Sequence, residues 1–143
     1  IGAKIAVPER EVVLFVGDGG LQMTIEELGM IMEYNVGVKI ILLNNNYLGN
    51  VRQWQELFFN SRYSATPMTN PNFIMLANAY GIDGEDVPHR DNLDDAIKRM
   101  KNHKGAYILN VNIEEMGMIF PMTPGGHGVD EILLNSTEYY KPV

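Results

Sequence analysis

Apolar residues occur in short runs separated by amphipathic stretches, which indicates strands alternating with helices. Residues 11–16, EVVLFV, are continuous and rich in β-branched side chains, as in a strand buried on both faces of a parallel sheet. Residues 38–44, VKIILLN, form a second run of this kind. The amphipathic stretch between them predicts a helix from Thr24 to about Tyr34. The three elements make a β-α-β unit, for which parallel strands and a right-handed crossover are expected.

Local signals define the ends of this predicted helix. Thr24 and Glu27 have the spacing of a capping box, which places the helix start at Thr24. Asn35 and Gly37 follow the last apolar position and suit a left-handed C-terminal turn. The side chains expected to face the core are those of Ile25, Leu28, Ile31 and Met32.

The rest of the chain continues the alternation. A short helix is predicted at 51–59, and a second helix begins with Asn70 as N-cap and Pro71 as first residue and runs to about Tyr80. Later elements are a strand within 81–87, a helix after Asn92, a strand at 106–113, and a Met-, Pro- and Gly-rich tail ending in a short helix or coil. The expected fold is α/β, a parallel sheet with helices on both faces.

Composition narrows the class of protein. The 143 residues suit a single domain, and no apolar run reaches the roughly 18 residues that a membrane span requires. The net charge of −7 with scattered basic residues argues against nucleic acid as a partner. The absence of cysteine fits a cytoplasmic protein. Because the sequence opens in mid-pattern without methionine or a signal peptide, we expect residues 1–143 to be one domain cut from a longer chain.

Polar side chains follow both strands of the β-α-β unit. Asp18 follows the first strand between glycines, and Asn44 and Asn45 end the second. Neighbouring strands lie about 4.8 Å apart, and ligands of open parallel sheets bind beyond the carboxyl ends of the strands. Carboxylate and amide oxygens suit Mg²⁺, while Gly19 and Gly20 allow a phosphate close to their N–H groups. The sequence therefore predicts a Mg²⁺-diphosphate site, with a solvated strand-to-helix turn as the alternative.

The wider pattern resembles thiamine diphosphate enzymes, in which Gly-Asp-Gly is followed one β-α-β unit later by Asn-Asn. Residues 17–19 and 44–45 supply the two parts. The blocks LGNVRQWQELFF, PNFIMLANAYG and FPMTPGGHGVDEIL resemble more specifically the large subunit of acetolactate (acetohydroxyacid) synthase. The resemblance covers nearly the whole chain and implies a C-terminal thiamine-diphosphate-binding domain.

The resemblance implies roles for individual positions. The metal ligands would be the side chains of Asp18 and Asn45 and the backbone carbonyl of Tyr47. Trp54 would shape the keto-acid acceptor site, although as part of an amphipathic helix it also suits simple core packing. The full set of cofactor-binding positions is Gly17, Asp18, Gly19, Gly20, Asn45, Tyr47, Leu48, Gly49 and Val51.

Three positions depart from the pattern of the family. The family usually has Ser and Phe where this chain has Gly20 and Leu21, so a hydroxyl that could bind phosphate is missing. Asn50 stands where methionine is common and places a polar group beside the cofactor. These departures leave the preferred keto acid open.

The resemblance also implies what the full-length enzyme does. It would decarboxylate pyruvate and join the two-carbon unit to a second 2-keto acid, in branched-chain amino-acid biosynthesis. The glutamate that activates the cofactor would come from an N-terminal domain of a neighbouring subunit, so no catalytic residue is assigned here and the isolated chain should be inactive. A homodimer or homotetramer, a regulatory small subunit and FAD are further expectations. The alternatives are another thiamine-dependent decarboxylase or carboligase, and a non-catalytic Mg²⁺- or phosphate-binding module.

Overall fold

The computed structural model describes residues 1–136, which divide into two compact units. The first unit comprises Ile1–Asn46 and Met68–Glu114. The second comprises Tyr47–Pro67 and the chain from Glu115 onward.

The first unit contains a four-stranded sheet in which every pair of neighbouring strands is parallel. In spatial order the strands are β1-β2-β4-β3. Their bounds are β1 Val13–Gly17, β2 Lys39–Asn44, β3 Asp83–Val87 and β4 Tyr107–Asn112. The predicted α/β fold is confirmed, and so is the parallel pairing of the first two strands.

Helices cover both faces of this sheet. The helices of the first unit are α1 Gly2–Ala6, α2 Asp18–Met23, α3 Glu27–Tyr34, α5 Phe73–Ala79 and α6 Leu93–Asn102. Helix α4, Gly49–Phe58, belongs to the second unit. Ile40 and Leu42 of β2 pack in one cluster with apolar residues of α2, α3 and α5. Ile41, which alternates with them, packs in a second cluster with residues of α6, β3 and β4. Both faces of β2 are therefore buried.

Strand β1 differs from its prediction as a buried strand. It begins two residues later than expected, at Val13, and four of its five residues are exposed. Leu14 is 42% and Phe15 64% exposed. The reason is position: β1 is an edge strand of the described sheet, with only β2 beside it. A continuous apolar run predicts a strand but does not specify its neighbours.

The predicted capping box at Thr24 is wrong. Helix α2 begins directly at Asp18, with Gly17 in extended conformation as its N-cap. Thr24 lies at the C-terminal end of α2, and its hydroxyl donates back to the Gly20 carbonyl at 3.0 Å. The glycine turn is thus itself the first turn of a helix. Among the predicted inward-facing residues, Leu28 and Ile31 are buried, whereas Met32 is 54% exposed.

The N-cap predicted at Asn70 is also misplaced. The cap of α5 is Asn72, whose side chain accepts a hydrogen bond from the Met75 N–H at 2.8 Å. Pro71 therefore precedes the helix instead of opening it. At the other end of α5, Gly81 has a φ of +68°, which fits its predicted role as helix terminator.

The second unit is built from α4 and the irregular segment that follows Glu114. The Gln53 side chain is buried; its Oε1 accepts from the Ile119 N–H at 2.8 Å and its Nε2 donates to the Ile119 carbonyl at 2.9 Å. Met122 and Leu133 form an antiparallel bridge. Of the two alternatives predicted for this tail, its described residues through Asn135 adopt coil.

Candidate functional site

The carboxyl ends of β1 and β2 bring polar residues together, as the sequence predicts. Gly17 pairs with Leu43 in the register of the two strands, so Asp18 and Asn44 follow at adjacent positions. Asp18 is only 2% exposed, although the strand before it is largely exposed. A carboxylate buried at this edge of a parallel sheet lies where ligands of such sheets bind.

Both oxygens of the Asp18 carboxylate accept hydrogen bonds from neutral donors. Oδ1 accepts from the N–H of Gly19 at 3.0 Å. Oδ2 accepts from the backbone N–H of Asn46 at 2.8 Å and from the side-chain Nδ2 of Asn70 at 2.7 Å. Among the residues that the structure describes, no ion pair involves Asp18. Three N–H donors thus stabilise the carboxylate, and a bound cation would compensate its charge further.

Three side-chain oxygens converge on the Nδ2 atom of Asn70. They are Asp18 Oδ2 at 2.7 Å, Asn44 Oδ1 at 2.9 Å and Asn46 Oδ1 at 3.0 Å. An amide nitrogen carries two hydrogens, so it cannot satisfy three acceptors at once. The cluster therefore has more oxygen acceptors than Asn70 has hydrogens to donate, and oxygen is the ligand atom that hard divalent cations prefer.

The donor set fits magnesium better than a transition metal. Within residues 1–136 there is no group of three or more His, Cys, Asp and Glu side chains that could hold a metal ion. A cation beside Asp18 would therefore depend on one carboxylate, on amide and backbone oxygens, and on oxygens of its ligand. Mg²⁺ takes roughly six oxygens and commonly obtains several from phosphate.

Asn45, the second predicted metal ligand, follows β2 and is half-buried. The N–H of the peptide joining Asn45 to Asn46 donates to Asp18 Oδ2, so the Asn45 backbone lies directly beside the carboxylate. The side chain of Asn44 contacts two residues: its Nδ2 donates to Asn110 Oδ1 at 3.2 Å, and its Oδ1 accepts from Asn70 Nδ2 at 2.9 Å. Asn46 has a φ of +58°, a left-handed conformation that asparagine tolerates.

The glycines of the predicted site lie in and before the first turn of α2. Gly17 ends β1, and Gly19 is buried with its N–H directed to Asp18. A Cβ added to Gly20 would lie 3.2 Å from Cγ2 of Val16, so a serine here would require a small shift of that side chain. Leu21, the other departure from the family pattern, is part of the apolar core.

The remaining predicted site residues belong to the second unit. Tyr47 and Leu48 precede α4, while Gly49, Val51 and Trp54 lie within it. The Trp54 ring packs against Phe58 with centroids 4.8 Å apart and remains 40% exposed. Trp54 therefore packs along its helical stripe with Phe58, as the core interpretation expects, but it is not buried.

The hydrogen-bonded side chains at this edge form a polar cluster of Asp18, Gln22, Asn44, Asn46 and Asn70. Two of them, Gln22 and Asn70, are not predicted from the sequence as site residues. The sequence pattern indicates a helix cap at Asn70 and no role for Gln22. In the structure Gln22 Nε2 donates to Asn70 Oδ1 at 2.6 Å. The available signal is the segment Asn70-Pro71-Asn72: only one of its two asparagines can be the cap of α5, which leaves the other side chain for another contact.

Known proteins share the sequence pattern of this chain. A family profile described as "Thiamine pyrophosphate enzyme, C-terminal TPP binding domain" matches residues 1–111. The chain is 43% identical over 134 residues to the acetolactate synthase isozyme 2 large subunit of Escherichia coli K12, covering 93% of this chain and 24% of that protein. It is 41% identical over 133 residues to the mitochondrial acetolactate synthase catalytic subunit of Saccharomyces cerevisiae, covering 93% and 19% respectively. The chain thus spans about a quarter of the length of such relatives, or less.

A solved structure shows the same fold. The thiamine diphosphate-dependent 4-hydroxybenzoylformate decarboxylase of Rhodococcus jostii RHA1 superposes with a TM-score of 0.72 at 26% sequence identity. The match covers 80% of this chain and 22% of that one. Within residues 1–136, no helix has the length and apolar character needed to cross a membrane. The described α/β sheet, the polar edge beside Asp18 and the matching profile lead to one conclusion: the chain belongs to the thiamine pyrophosphate enzymes, as a C-terminal TPP-binding domain.

Proposed function

We propose that the polar edge around Asp18 binds the Mg²⁺-diphosphate end of thiamine diphosphate. The observation that carries this proposal is the Asp18 carboxylate, 2% exposed and hydrogen-bonded to neutral N–H donors. A divalent cation would compensate its charge, and the surplus oxygens around Asn70 support the same occupant. Asp18 and Asn45 are the proposed side-chain ligands of the metal, and the Tyr47 carbonyl is the proposed backbone ligand.

The proposed diphosphate contacts come from the backbone of the glycine turn, residues 17–20. Gly17, Gly19 and Gly20 have no side chains, so the cofactor can approach them closely. Gly49 and Val51 are proposed to lie near the thiazolium ring of the cofactor, and Leu48 is also proposed to contact the cofactor. Trp54 is proposed to shape the site of the second substrate. The exposed indole of Trp54 supports a ligand-facing role.

We infer that the full-length polypeptide containing this domain is an acetolactate-synthase-like transferase. It would decarboxylate pyruvate and transfer the two-carbon unit to a second 2-keto acid, in the synthesis of branched-chain amino acids. Bound thiamine diphosphate supplies the nucleophilic carbon and the electron sink for such chemistry. The identities of 36–43% with acetolactate synthases over most of the chain support this inference.

Further partners are proposed for the same full-length enzyme. They are an N-terminal domain of a neighbouring subunit that completes the active site, a homodimeric or homotetrameric assembly, and a regulatory small subunit. FAD is a candidate second cofactor, and the cytoplasm the proposed location. Because the proposed site would hold only the metal-diphosphate end of the cofactor, we propose that the 143-residue chain has no synthase activity by itself.

A second candidate function is that of a thiamine-dependent 2-keto-acid decarboxylase. The structural match to a 4-hydroxybenzoylformate decarboxylase and the unusual Asn50 favour it. The higher identity to acetolactate synthases favours the first candidate. Product analysis of the full-length enzyme with pyruvate separates them, because a carboligase yields acetolactate and a simple decarboxylase yields acetaldehyde.

The metal assignment is tested by Asp18→Ala in the full-length protein. We expect the affinity for Mg²⁺ with thiamine diphosphate, measured by titration calorimetry, to fall by at least about 100-fold, since even outer-shell changes cost about 10–100-fold. Asp94→Ala removes an exposed carboxylate of α6 and is the matched control. Unchanged affinity in Asp18→Ala would show that the metal is bound elsewhere.

A further inference from the structure

Asn70 lies at the centre of the polar cluster, although its sequence pattern predicts a helix cap and not a site residue. We propose that Asn70 is the positioning residue that orients the Asp18 carboxylate for the divalent cation, and that Gln22 fixes Asn70 in the orientation required. This inference rests on the proposed function, because it assigns a role toward the same metal.

The hydrogen bonds of Asp18 show why a second residue is needed to orient it. Its Oδ1 is bonded to the N–H of Gly19, the next residue in the chain. Its Oδ2 has two donors, of which the Asn46 N–H belongs to the backbone. The other donor is the Asn70 amide at 2.7 Å, a side chain from a distant part of the sequence. Removing this amide takes away a side-chain restraint on rotation of the carboxylate and leaves the two backbone donors.

The backbone places Asn70 at this position. The N–H of Met68 donates to the Asn46 carbonyl at 2.8 Å, which ties the segment before Asn70 to the loop after β2. Asn46 also donates its own N–H to Asp18. The loop after β2, the carboxylate after β1 and the segment before α5 are therefore joined through a few short hydrogen bonds.

Gln22 determines which way the Asn70 amide faces. Gln22 Nε2 donates to Asn70 Oδ1 at 2.6 Å, so the oxygen of Asn70 is turned toward α2 and its NH₂ group toward Asp18. The reverse orientation would place an amide oxygen against a buried carboxylate and leave the Gln22 donor facing another donor. Gln22 thus orients Asn70, and Asn70 in turn orients the Asp18 carboxylate, so the two residues act in series.

The surplus of acceptors explains how this arrangement accommodates a metal. Nδ2 of Asn70 can donate only two hydrogen bonds to the three oxygens around it. One oxygen always retains a free lone pair, so a cation can bind without every hydrogen bond of Asn70 being broken. Outer-shell residues that orient ligands in this way commonly change metal affinity by about 10–100-fold when removed.

The test uses the full-length protein that contains this domain, with Mg²⁺ titrated calorimetrically at saturating thiamine diphosphate. We expect Asn70→Ala and Gln22→Ala each to weaken Mg²⁺ binding by about tenfold or more. Because the two residues act in series, the double variant should bind no more weakly than Asn70→Ala alone, whereas independent effects would multiply. Asn78→Ala, an exposed asparagine of α5, is the matched control.

The possible outcomes distinguish a failure of the positioning role of Asn70 and Gln22 from a failure of the proposed metal site at Asp18. If Asp18→Ala binds Mg²⁺ like the wild type, the metal site itself is wrong. If Asp18→Ala loses binding while Asn70→Ala and Gln22→Ala stay within about twofold of wild type, the positioning role is wrong. Circular dichroism checks the fold of each variant, and Gln22→Ala decides the question if Asn70→Ala does not fold. The Mg²⁺ affinity is measured in the absence of substrate. A variant that is impaired only in catalysis therefore shows the Mg²⁺ affinity of the wild type.

Discussion

Strands β1 and β2 are neighbours with similar apolar sequences, but their surroundings differ. In β2 five of the six residues are buried, and apolar residues pack against both of its faces. In β1 four of the five are exposed, with Phe15 at 64%. Despite this, the residue directly after β1, Asp18, is as inaccessible as the centre of β2. The burial of Asp18 therefore does not follow from the burial of the strand before it.

The difference arises from the segments that succeed the two strands. The chain leaves β1 directly into α2, and the loop residue Asn46 and the distant Asn70 then cover the Asp18 carboxylate with hydrogen bonds. These contacts are polar and specific, whereas those around β2 are apolar and distributed over two clusters. Stability should thus depend mainly on β2, and ligand binding mainly on the residues that come after β1.

The largest effect on stability should come from the centre of β2. Leu42 is 0% exposed within the first apolar cluster, so Leu42→Ala creates a cavity and should lower the free energy of unfolding by about 2–5 kcal/mol. Urea unfolding of the 143-residue chain measures this loss.

The matched control removes the same atoms from β1. Leu14 is 42% exposed, so Leu14→Ala should cost less than about 1 kcal/mol. Equal costs for the two variants would mean that β1 is covered in solution, and repeating the measurement at several protein concentrations would show whether a second copy covers it.

Much of the first unit could be predicted because hydrophobic periodicity is a local property. The parallel β1–β2 pair, the edge where Asp18 and Asn44 meet, and the alternation of helices and strands all follow from short stretches. The exposure of β1 could not be predicted in this way. It depends on whether a second strand lies beside β1, and the sequence of β1 does not encode that.

The polar cluster shows the same limit at the level of single side chains. Asp18 is predicted by the glycines around it and the strand before it, whereas Asn70 lies 52 residues away from Asp18. The sequence around Thr24 matches a capping box, but the Thr24 hydroxyl can also donate to a backbone carbonyl one turn earlier. In the structure it donates to the Gly20 carbonyl instead of capping α3. Short polar side chains suit several partners, so their choice among them is decided by the tertiary structure.

A smaller and pH-dependent effect should come from the first residue of β2. Lys39 is buried, and its Nζ donates to the carbonyls of His103 and Gly105 at 2.7 and 2.6 Å. Burial lowers the pKa of Lys39 from its ordinary value of 10.5, and Glu11 partly opposes this. Between the lowered pKa and 10.5 the unfolded chain binds more protons than the folded chain, so the contribution of Lys39 to stability rises with pH in this window.

The free energy of unfolding in urea is measured for the wild type and Lys39→Met from neutral pH to about pH 10. The difference between the two proteins gives the contribution of Lys39, because the other titrating groups affect both proteins equally. Lys101→Met removes an exposed lysine of α6 and controls for the loss of one positive charge. A difference that falls or stays constant as pH rises would show that the Lys39 ammonium group is hydrated in solution.

The smallest effect should come from β3, which forms the opposite edge of the sheet from β1 and is polar where β1 is apolar. Glu85 forms a two-pronged ion pair with Arg99, with Nη2 to Oε2 at 2.7 Å, and accepts from the Tyr107 hydroxyl at 3.1 Å. The hydrogen bond from Arg99 is the main reason that the pKa of Glu85 is lowered from 4.5, while burial opposes it. The stabilisation is therefore complete above pH 4.5 and is lost as pH falls through the lowered pKa.

Glu85→Gln should consequently lower the stability of the chain less than Leu42→Ala does, because partly exposed ion pairs contribute little. The deficit relative to wild type should shrink on acidification below pH 4.5, since protonated Glu85 resembles glutamine. Melting temperatures at neutral and acidic pH measure both effects, and Asp94→Asn, an exposed carboxylate of α6, is the control. A deficit that is independent of pH would mean that the shape of the Glu85 side chain stabilises β3, and that its charge does not.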